Sequence, residues 1–259
     1  MVKGLYTAYT GMINEQNRMD IMTNNLANAS TVGYKKEGST SQSFDDVLTV
    51  KIKDQSVGMR NVQRLGVKNP GVMIGENYTD YSQGSFRITG NTYDLALSGE
   101  GFFAIEFTNK AGETDTKYTR AGQFTLNKDG YLVTEEGDYV LDTQNRRIRL
   151  NTLIDSSITD DGTIYQNGQA VAKIQVTDFE DYDYLEKYGE TYYQPIQGAK
   201  TIAAKAQVKS GYLEMANVQI VSEMVNLISI TRAYESNQKV VQTIDDTLDV
   251  AVNQIGRVQ

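Results

Sequence analysis

Apolar side chains recur every seven residues near both ends of the chain. A seven-residue recurrence places side chains along one stripe of an α-helix. The N-terminal series predicts a helix of about 25 residues. No Gly or Pro interrupts the chain from Tyr212 to Ile255, so the C-terminal series predicts one helix of about 40 residues in this part of the chain. Because a series this long indicates a partner helix, we expect the two helices to pair as a coiled coil. The expected packing positions are Leu5, Met12, Met19, Leu26, Ile220, Met224, Leu227, Tyr234, Val241, Leu248 and Ile255.

The first half of the C-terminal helix is apolar on every side. Its apolar positions are Val218, Ile220, Val221, Met224, Val225, Leu227, Ile228 and Ile230. A helix that is apolar all round has to be buried on all sides, and one N-terminal helix cannot achieve this. We therefore expect other subunits to cover this segment. Asn217 is expected to cap the N-terminus of the helix.

Between the helices, short runs of β-branched and aromatic residues alternate with turn sequences. The turns are Asn127–Gly130, Glu136-Gly137, Asp161-Gly162 and Asn167-Gly168. Strands joined by turns of this kind form antiparallel hairpins. The predicted fold class is therefore α+β, with long terminal helices that pair and a mainly antiparallel all-β region inserted between them.

This organisation predicts three parts of the chain. Residues 1–35 with 212–259 are expected to form a discontinuous helical polymerisation domain. Residues 36–80 with 185–211 are expected to be extended connectors. Residues 81–184 are expected to form the β domain.

The composition excludes several kinds of chemistry. The 259 residues include no His and no Cys, which removes Ser-His-Asp and Cys-His nucleophilic sites, zinc fingers and disulfides. The formal net charge of −8 and the pI near 4.7 disfavour binding to nucleic acid, which needs a clustered basic surface. No run approaches about eighteen apolar residues, and the N-terminus lacks the apolar core of a signal peptide, so we expect neither membrane insertion nor signal cleavage.

Three short motifs have the spacing of ligand sites, and each has a plainer interpretation. Ser98–Ala104 has the glycine spacing of a dinucleotide site, but an aromatic β run follows it, so we expect a glycine turn between strands. Gly33–Ser39 lacks the lysine of a P-loop. The acidic residues between 178 and 186 lack the central glycine of a calcium loop and are expected to be solvated. We therefore expect no catalytic residue, no cofactor and no metal.

Two other classes of function stay open from the residues alone. A secreted carboxylate-dependent cell-wall hydrolase needs only two acidic side chains beside a cleft, at least one of them with a raised pKa. The chain has 33 acidic residues, so residue type does not exclude it. A surface adhesin would bind its ligand through the β region.

The N-terminal helix is rich in asparagine and is followed by a glycine. Asn28 to Lys35 is expected to form a fixed elbow after the helix, with Gly33 at positive φ. The amides along the helix have two interpretations: they bridge subunits or cap breaks, or they are exposed polar positions. They belong to Asn14, Asn17, Asn24, Asn25 and Asn28.

Collinear blocks across nearly the whole chain resemble the bacterial flagellar rod and hook proteins. Asn24–Asn28 and Gly33–Lys35 resemble the N-terminal signature of that family, and Gly211–Glu214 and Arg232–Asn237 resemble its C-terminal signature. Segments between residues 83 and 133 resemble its middle part. The matching positions are Asn24, Asn25, Ala27, Asn28, Gly33, Tyr34, Gly84, Asp94, Gly99, Gly101, Phe102, Phe103, Arg120, Gly122, Gly211, Asn217, Arg232 and Tyr234.

The resemblance implies a non-catalytic structural subunit of the flagellar basal-body rod, closest to the distal rod type. It implies a hollow helical tube that transmits torque from motor to hook. The implied partners are further copies of the chain, other rod and hook axial proteins, and the flagellar type III export machinery. The implied location is the basal body in the cell envelope. A proximal rod paralogue or a hook-type subunit is the alternative within the family.

Overall fold

A computed structural model describes residues 2–52, 62–109 and 112–255 of the chain. In this part of the chain, one long helix precedes twenty strands and a second long helix follows them in sequence. The helices are α1 (Val2–Ala27) and α2 (Ile220–Val250), and a π-helical turn, Ala251–Ile255, follows α2. A single 3₁₀ turn, Tyr182–Tyr184, lies among the strands.

The strands follow one another in short steps along the chain. They are β1 (Glu37–Ser43), β2 (Val47–Ile52), β3 (Val62–Lys68), β4 (Val72–Thr79), β5 (Phe86–Ile88), β6 (Leu95–Ser98), β7 (Phe102–Thr108), β8 (Thr114–Thr119), β9 (Phe124–Leu126), β10 (Leu132–Thr134), β11 (Tyr139–Val140), β12 (Ser156–Ile158), β13 (Thr163–Gln166), β14 (Gln169–Lys173), β15 (Val176–Phe179), β16 (Leu185–Tyr188), β17 (Tyr192–Pro195), β18 (Thr201–Ala203), β19 (Gln207–Ser210) and β20 (Tyr212–Glu214).

The chain divides into two compact units. The described parts of Met1–Leu26, Glu37–Asp80 and Ile220–Gln259 form the helical unit, and Ala27–Lys36 with Tyr81–Gln219 form the β unit. The predicted connector 185–211 contains strands β16 to β19, and β16 and β17 belong to the main sheet of the β unit. The three-part division predicted from the sequence stays a prediction.

In the helical unit, α1 lies against a ribbon made of β1 and β4. These strands pair antiparallel, with a register shift between Ser39 and Ser41. Asn14 and Ser41 exchange side-chain hydrogen bonds of 3.1 and 3.2 Å. Asn25 Nδ2 donates to the Glu37 carbonyl, and its Oδ1 accepts from the Glu37 N–H. These two buried amides therefore hold the helix to the ribbon, a role that neither sequence interpretation anticipated.

The C-terminal helix α2 has 31 residues and is shorter than the expected length of about 40 residues. Residues 212–214 form β20, which pairs antiparallel with β5, and the helix begins at Ile220. The expected cap is also wrong, because Asn217 lies before the helix, where its Oδ1 accepts from the Lys36 N–H and its Nδ2 donates to Ser82. Pairing with β5 satisfies the backbone groups that a helix would otherwise use.

The β unit is built around a nine-stranded antiparallel sheet. Its main path is β16-β17-β8-β7-β11-β10-β9, and β15 joins it through β7 and carries β18. The predicted hairpins are confirmed: β9 pairs with β10 across Asn127–Gly130, β10 with β11 across Glu136-Gly137, and β12, β13 and β14 form one small sheet. The mainly antiparallel β region between terminal helices is therefore as expected.

Two apolar cores hold the β unit together. The larger contains Phe103, Phe124, Leu132 and Ile148, none of them more than 1% exposed. The smaller lies on the other side of β7, where Phe102 packs in edge-to-face contact with Tyr81 and Phe179. The alternation of Phe102 and Phe103 between the two cores follows from the two-residue period of a strand.

The structure shows the surroundings of two further sequence motifs, the glycine-rich segment before β7 and the acidic cluster that begins in β15. Gly99 and Gly101 have φ of 116° and 131° between β6 and β7, so Ser98–Ala104 is a glycine turn between strands, as expected. The expectation that the acidic cluster is solvated is wrong for Asp178, which is 6% exposed in β15. Its Oδ1 accepts from the Tyr182 hydroxyl at 2.8 Å, so a hydrogen bond compensates for its burial.

Truncating a leucine of the larger core should cost far more than truncating an exposed one. Leu132 is 0% exposed and Leu153 is 92% exposed. We expect Leu132→Ala to lower the free energy of unfolding by about 2–5 kcal/mol, and the matched Leu153→Ala to change it by less than about 0.5 kcal/mol. Urea unfolding followed by tyrosine fluorescence measures both, and equal losses would contradict this core.

An exposed ion pair on β7 should make stability depend on pH. Arg147 donates two hydrogen bonds to Glu106, which lower the pKa of that carboxyl below its ordinary 4.5. A lowered pKa in the folded state adds stability above pH 4.5 that is lost as the pH falls through the folded value. Glu106→Gln should therefore destabilise the protein at pH 7 and converge with the wild type in acid. Glu135→Gln, a change at an exposed carboxyl, is the control, and a Glu106→Gln difference that persists unchanged in acid would disprove the linkage.

Candidate functional site

The protected side chains of α2 lie along a stripe of alternating four- and three-residue steps. This spacing is that of a coiled-coil seam. Leu227, Tyr234, Val241 and Leu248 from the sequence prediction lie on the stripe and are partly covered, whereas Ile220 and Met224 are 47% and 48% exposed. The side chain of Ile255 lies outside the described residues. The stripe consists of Glu223, Leu227, Ile230, Tyr234, Asn237, Val241, Ile244, Leu248 and Ala251.

Helix α1 approaches this stripe through glycines. A methyl group on Gly11 would lie 3.1 Å from Asn237 Nδ2, and one on Gly4 would lie 3.7 Å from Ile244 Cδ1. The partners are seven residues apart in each helix and run in opposite directions, so the helices approach antiparallel. The large residues predicted for α1, which are Leu5, Met12, Met19 and Leu26, are half-buried.

The first turns of α2 leave an apolar face uncovered. Val221 is 77% exposed, Val225 61% and Ile228 54%. Ile230, on the protected stripe, is only 4% exposed. An exposed apolar face of this kind is typical of surfaces that contact another molecule.

The segments that join the helices to the strands are paired with each other. We call residues 28–36, which follow α1, the N root, and residues 211–219, which precede α2, the C root. The Gly33 N–H donates to the Glu214 carbonyl at 2.8 Å, and Val32 forms an isolated β-bridge with Met215. Segments about 180 residues apart in sequence are therefore held side by side within the β unit.

A buried ion cluster lies where the roots meet. Glu214 Oε1 accepts from Lys35 Nζ at 2.7 Å and from the Gly84 N–H at 3.0 Å, and Oε2 accepts from Arg120 Nη1 at 3.2 Å. Lys35 Nζ also donates to the Ser82 carbonyl at 2.7 Å. The side chains of Lys35, Arg120 and Glu214 are 1%, 3% and 0% exposed. Such a cluster links four separate segments of the chain by charge-assisted hydrogen bonds.

Glycines allow this close approach of backbones. Gly33 has φ +70°, as expected, and a methyl group there would overlap the backbone between Arg120 and Ala121. A methyl group on Gly84 would overlap the Met215 carbonyl, and one on Gly122 would overlap the Leu95 carbonyl. Three positions of the family signature therefore share one physical reason: only glycine leaves room.

The remaining signature positions have various surroundings. Tyr34 is fully buried under the Lys187 ammonium, 4.3 Å from the ring centre. Asn28 Nδ2 donates to Glu190 at 2.8 Å, and the Asp94 carbonyl accepts from the Gly211 N–H. Ala27 and Arg232 are exposed, and Asn24 and Tyr234 are half-buried on the helices. The role of each signature residue in subunit contacts stays a prediction.

The described residues do not arrange the features of a hydrolase or a metal site. No three His, Cys, Asp or Glu side chains among them are grouped to hold a metal ion. The described carboxyl groups with a clearly shifted pKa, Glu106 and Asp161, are both shifted down, Asp161 to about 2 through hydrogen bonds from Thr159 and Thr163. A catalytic acid needs the opposite shift. No helix in the described ranges is long and apolar enough to cross a membrane.

Three family models match the chain in order. Residues 5–35 match "Flagella basal body rod protein", residues 96–168 match "Flagellar hook protein FlgE/F/G D1 domain", and residues 209–255 match "Flagellar basal body rod FlgEFG protein C-terminal". The chain is 34% identical to the flagellar basal-body rod protein FlgG of Bacillus subtilis, over 98% of this chain and 99% of that protein. The chain belongs to the flagellar basal-body rod protein family.

Other rod-family relatives are similar over their full lengths. The rod protein FlgF of Caulobacter vibrioides is 32% identical and the hook-basal body complex protein FlhO of Bacillus subtilis 30%, each over 100% of both chains. The protein is therefore a structural rod subunit and not an enzyme, and the hydrolase alternative is wrong. The identities of 34% to FlgG and 32% to FlgF are too close to each other to separate the distal from the proximal rod type.

Sequence reasoning missed the ion cluster at the roots. Lys35 and Glu214 lie in the segments that resemble the family signatures, but the sequence does not show that they pair. The sequence carries no local signal for it, because successive strand residues point to opposite faces and the buried Leu213 does not imply a buried Glu214. Only the fold shows that the partner lies 179 residues away.

Two glycines with the same backbone geometry separate crowding from backbone strain. Gly33 and Gly90 have φ of 70° and 74°, but nothing lies within 4 Å of a methyl group on Gly90. Gly90→Ala should cost only the left-handed strain of about 1–2 kcal/mol. Gly33→Ala should cost at least about 2 kcal/mol more because it pushes the N root away from the backbone of Arg120 and Ala121. Chemical unfolding of both variants tests this, and equal losses would show that the crowding is unimportant.

Proposed function

We propose that the protein is a distal-type rod subunit that polymerises through α1 and α2 into a hollow helical tube. The observation that carries this proposal is the uncovered apolar face of Val221, Val225 and Ile228 on a helix whose other stripe is protected. Burying such a face is favourable by about 25 cal/mol per Å² of apolar surface, so it drives association.

The two helices are proposed to pair as a coiled coil within each subunit. Support comes from the four-three spacing of the protected stripe on α2 and from the close approach at Gly4 and Gly11. The absence of a side chain at Gly4 and Gly11 leaves room for the side chains of Ile244 and Asn237. The proposed polymerisation domain therefore uses both ends of the chain.

Contacts between subunits are proposed to be heterologous. The exposed face of α2 differs from the exposed Tyr6, Tyr9 and Ile13 of α1, so one subunit can present one surface to a different surface of the next. Contacts of this kind that do not close into a ring build an open helical filament. A tube of such subunits would transmit torque from motor to hook.

The names of the relatives support the proposed position in the flagellum. FlgG and FlgF are named basal-body rod proteins, and FlhO is named a hook-basal body complex protein. We place the protein in the basal body, assembled with copies of itself and with other rod and hook axial proteins, after passage through the flagellar export machinery. The distal type is preferred because the chain has one middle β region; the proximal type is the alternative.

A single charge on the uncovered face should block polymerisation and leave the monomer intact. Val225→Asp places a carboxylate on the exposed face of α2, so it should prevent tubes because burying an unpaired charge is costly. The monomer's unfolding midpoint should change little, since the position is already 61% exposed. Electron microscopy of the purified protein and restoration of swimming measure the effect.

Gln242→Asp, at an exposed polar position of the same helix, is the matched control and should still form tubes. If Val225→Asp polymerised and supported swimming as well as the wild type, the apolar face would not be an interface.

A further inference from the structure

We propose that Glu214 is the positioning residue that clamps both helix roots to the β unit through its buried bonds to Lys35 and Arg120. Each partner lies on a different segment: Lys35 in the N root, Arg120 directly after β8, and Glu214 in the C root. The inference deepens the proposed function and rests on it for one point, that the helices leaving these roots are the elements that polymerise.

The clamp has a backbone part and a side-chain part at one residue. The Glu214 carbonyl accepts from the Gly33 N–H, while its carboxylate binds the neighbouring Lys35 and, across the junction, Arg120. Two contacts from one residue to positions of the N root that are two residues apart fix both its distance and its direction.

Burial makes the clamp selective. Arg120 is 3% exposed, and Glu214 supplies its salt bridge. Removing one partner of a buried pair leaves an uncompensated charge, whereas replacing both partners by neutral groups is much better tolerated. The cluster therefore penalises every arrangement of the roots in which Glu214 is displaced, and this specificity is its proposed role.

Chain order adds a consequence for folding. Glu214 follows Lys35 by 179 residues and Arg120 by 94. In a chain that emerges N-terminus first, the N root stays unlocked until the C root arrives. The N root, which follows α1, is therefore held in place only when the C root, which leads into α2, is present.

The test uses trypsin on the full chain, because the N root carries its own reporter. Trypsin cleaves after Lys35, which is 1% exposed, so it reaches this bond only when the root opens. Lys117 is 3% exposed in β8, so cleavage after Lys117 reports opening of the sheet itself. Glu214→Gln should speed cleavage in the N root by about tenfold or more, with little change at Lys117.

The double variant Arg120→Met with Glu214→Gln should cleave in the N root more slowly than Glu214→Gln alone, because no unpaired guanidinium remains buried. The exposed pair Glu106→Gln with Arg147→Met is the matched control and should leave cleavage in the N root unchanged. Mass spectrometry of the time course assigns each cut.

Three results would overturn the clamp: unchanged cleavage in the N root of Glu214→Gln, parallel acceleration at Lys117, or no suppression by the Arg120→Met double variant. Tube formation by the same variants is scored separately. If the clamp fails while Val225→Asp still blocks tubes, the proposed function stands without it; if the cleavage results hold but Val225→Asp forms tubes, the clamp stands and the polymerisation surface is wrong.

Discussion

The pairing of the two roots is the constraint on which the rest of the molecule depends. Helices α1 and α2 flank the β unit in sequence. The segment that leads into α2 therefore has to lie within hydrogen-bond distance of the segment that follows α1. The Gly33 N–H and the Glu214 carbonyl make that bond, and the carboxylate of the same Glu214 draws in Lys35 and Arg120. Because a buried charge must be paired, a return at any other register would be penalised.

The helices follow a different principle from the β unit. The β unit buries its large aromatic and aliphatic side chains inside one chain, in two cores on either side of β7. The start of α2 instead keeps large aliphatic side chains exposed, with Val221 at 77%. Within the described part of one chain, nothing buries that surface. Under the proposed polymerisation, the stability of the subunit and the drive to assemble lie in different segments.

Local patterns predicted much of this fold. The hairpin turns could be predicted because Asn-Gly and Asp-Gly pairs determine the backbone geometry locally, independently of distant residues. The seven-residue spacing of apolar residues predicted both helices. The start of α2 was not readable, because Tyr212–Glu214 is taken into a strand by β5, more than 120 residues earlier in the chain. Asp178 and the ion cluster escaped for the same reason: their burial depends on which segments meet, and hydrogen bonds from Tyr182, Lys35 and Arg120 make that burial possible.

The composition of the helix surfaces explains why one subunit is not enough. On α1, Gly4 and Gly11 face Ile244 and Asn237 of α2, whereas the large residues of the seven-residue series, Leu5 and Met12, each come one position later. One residue is a rotation of about 100° around a helix. The large side chains therefore flank the approach to α2, where they stay half-buried. A contact through glycines buries little apolar surface, which leaves the flanking residues of α1 and the exposed face of α2 as the surfaces that further copies of the chain are proposed to cover.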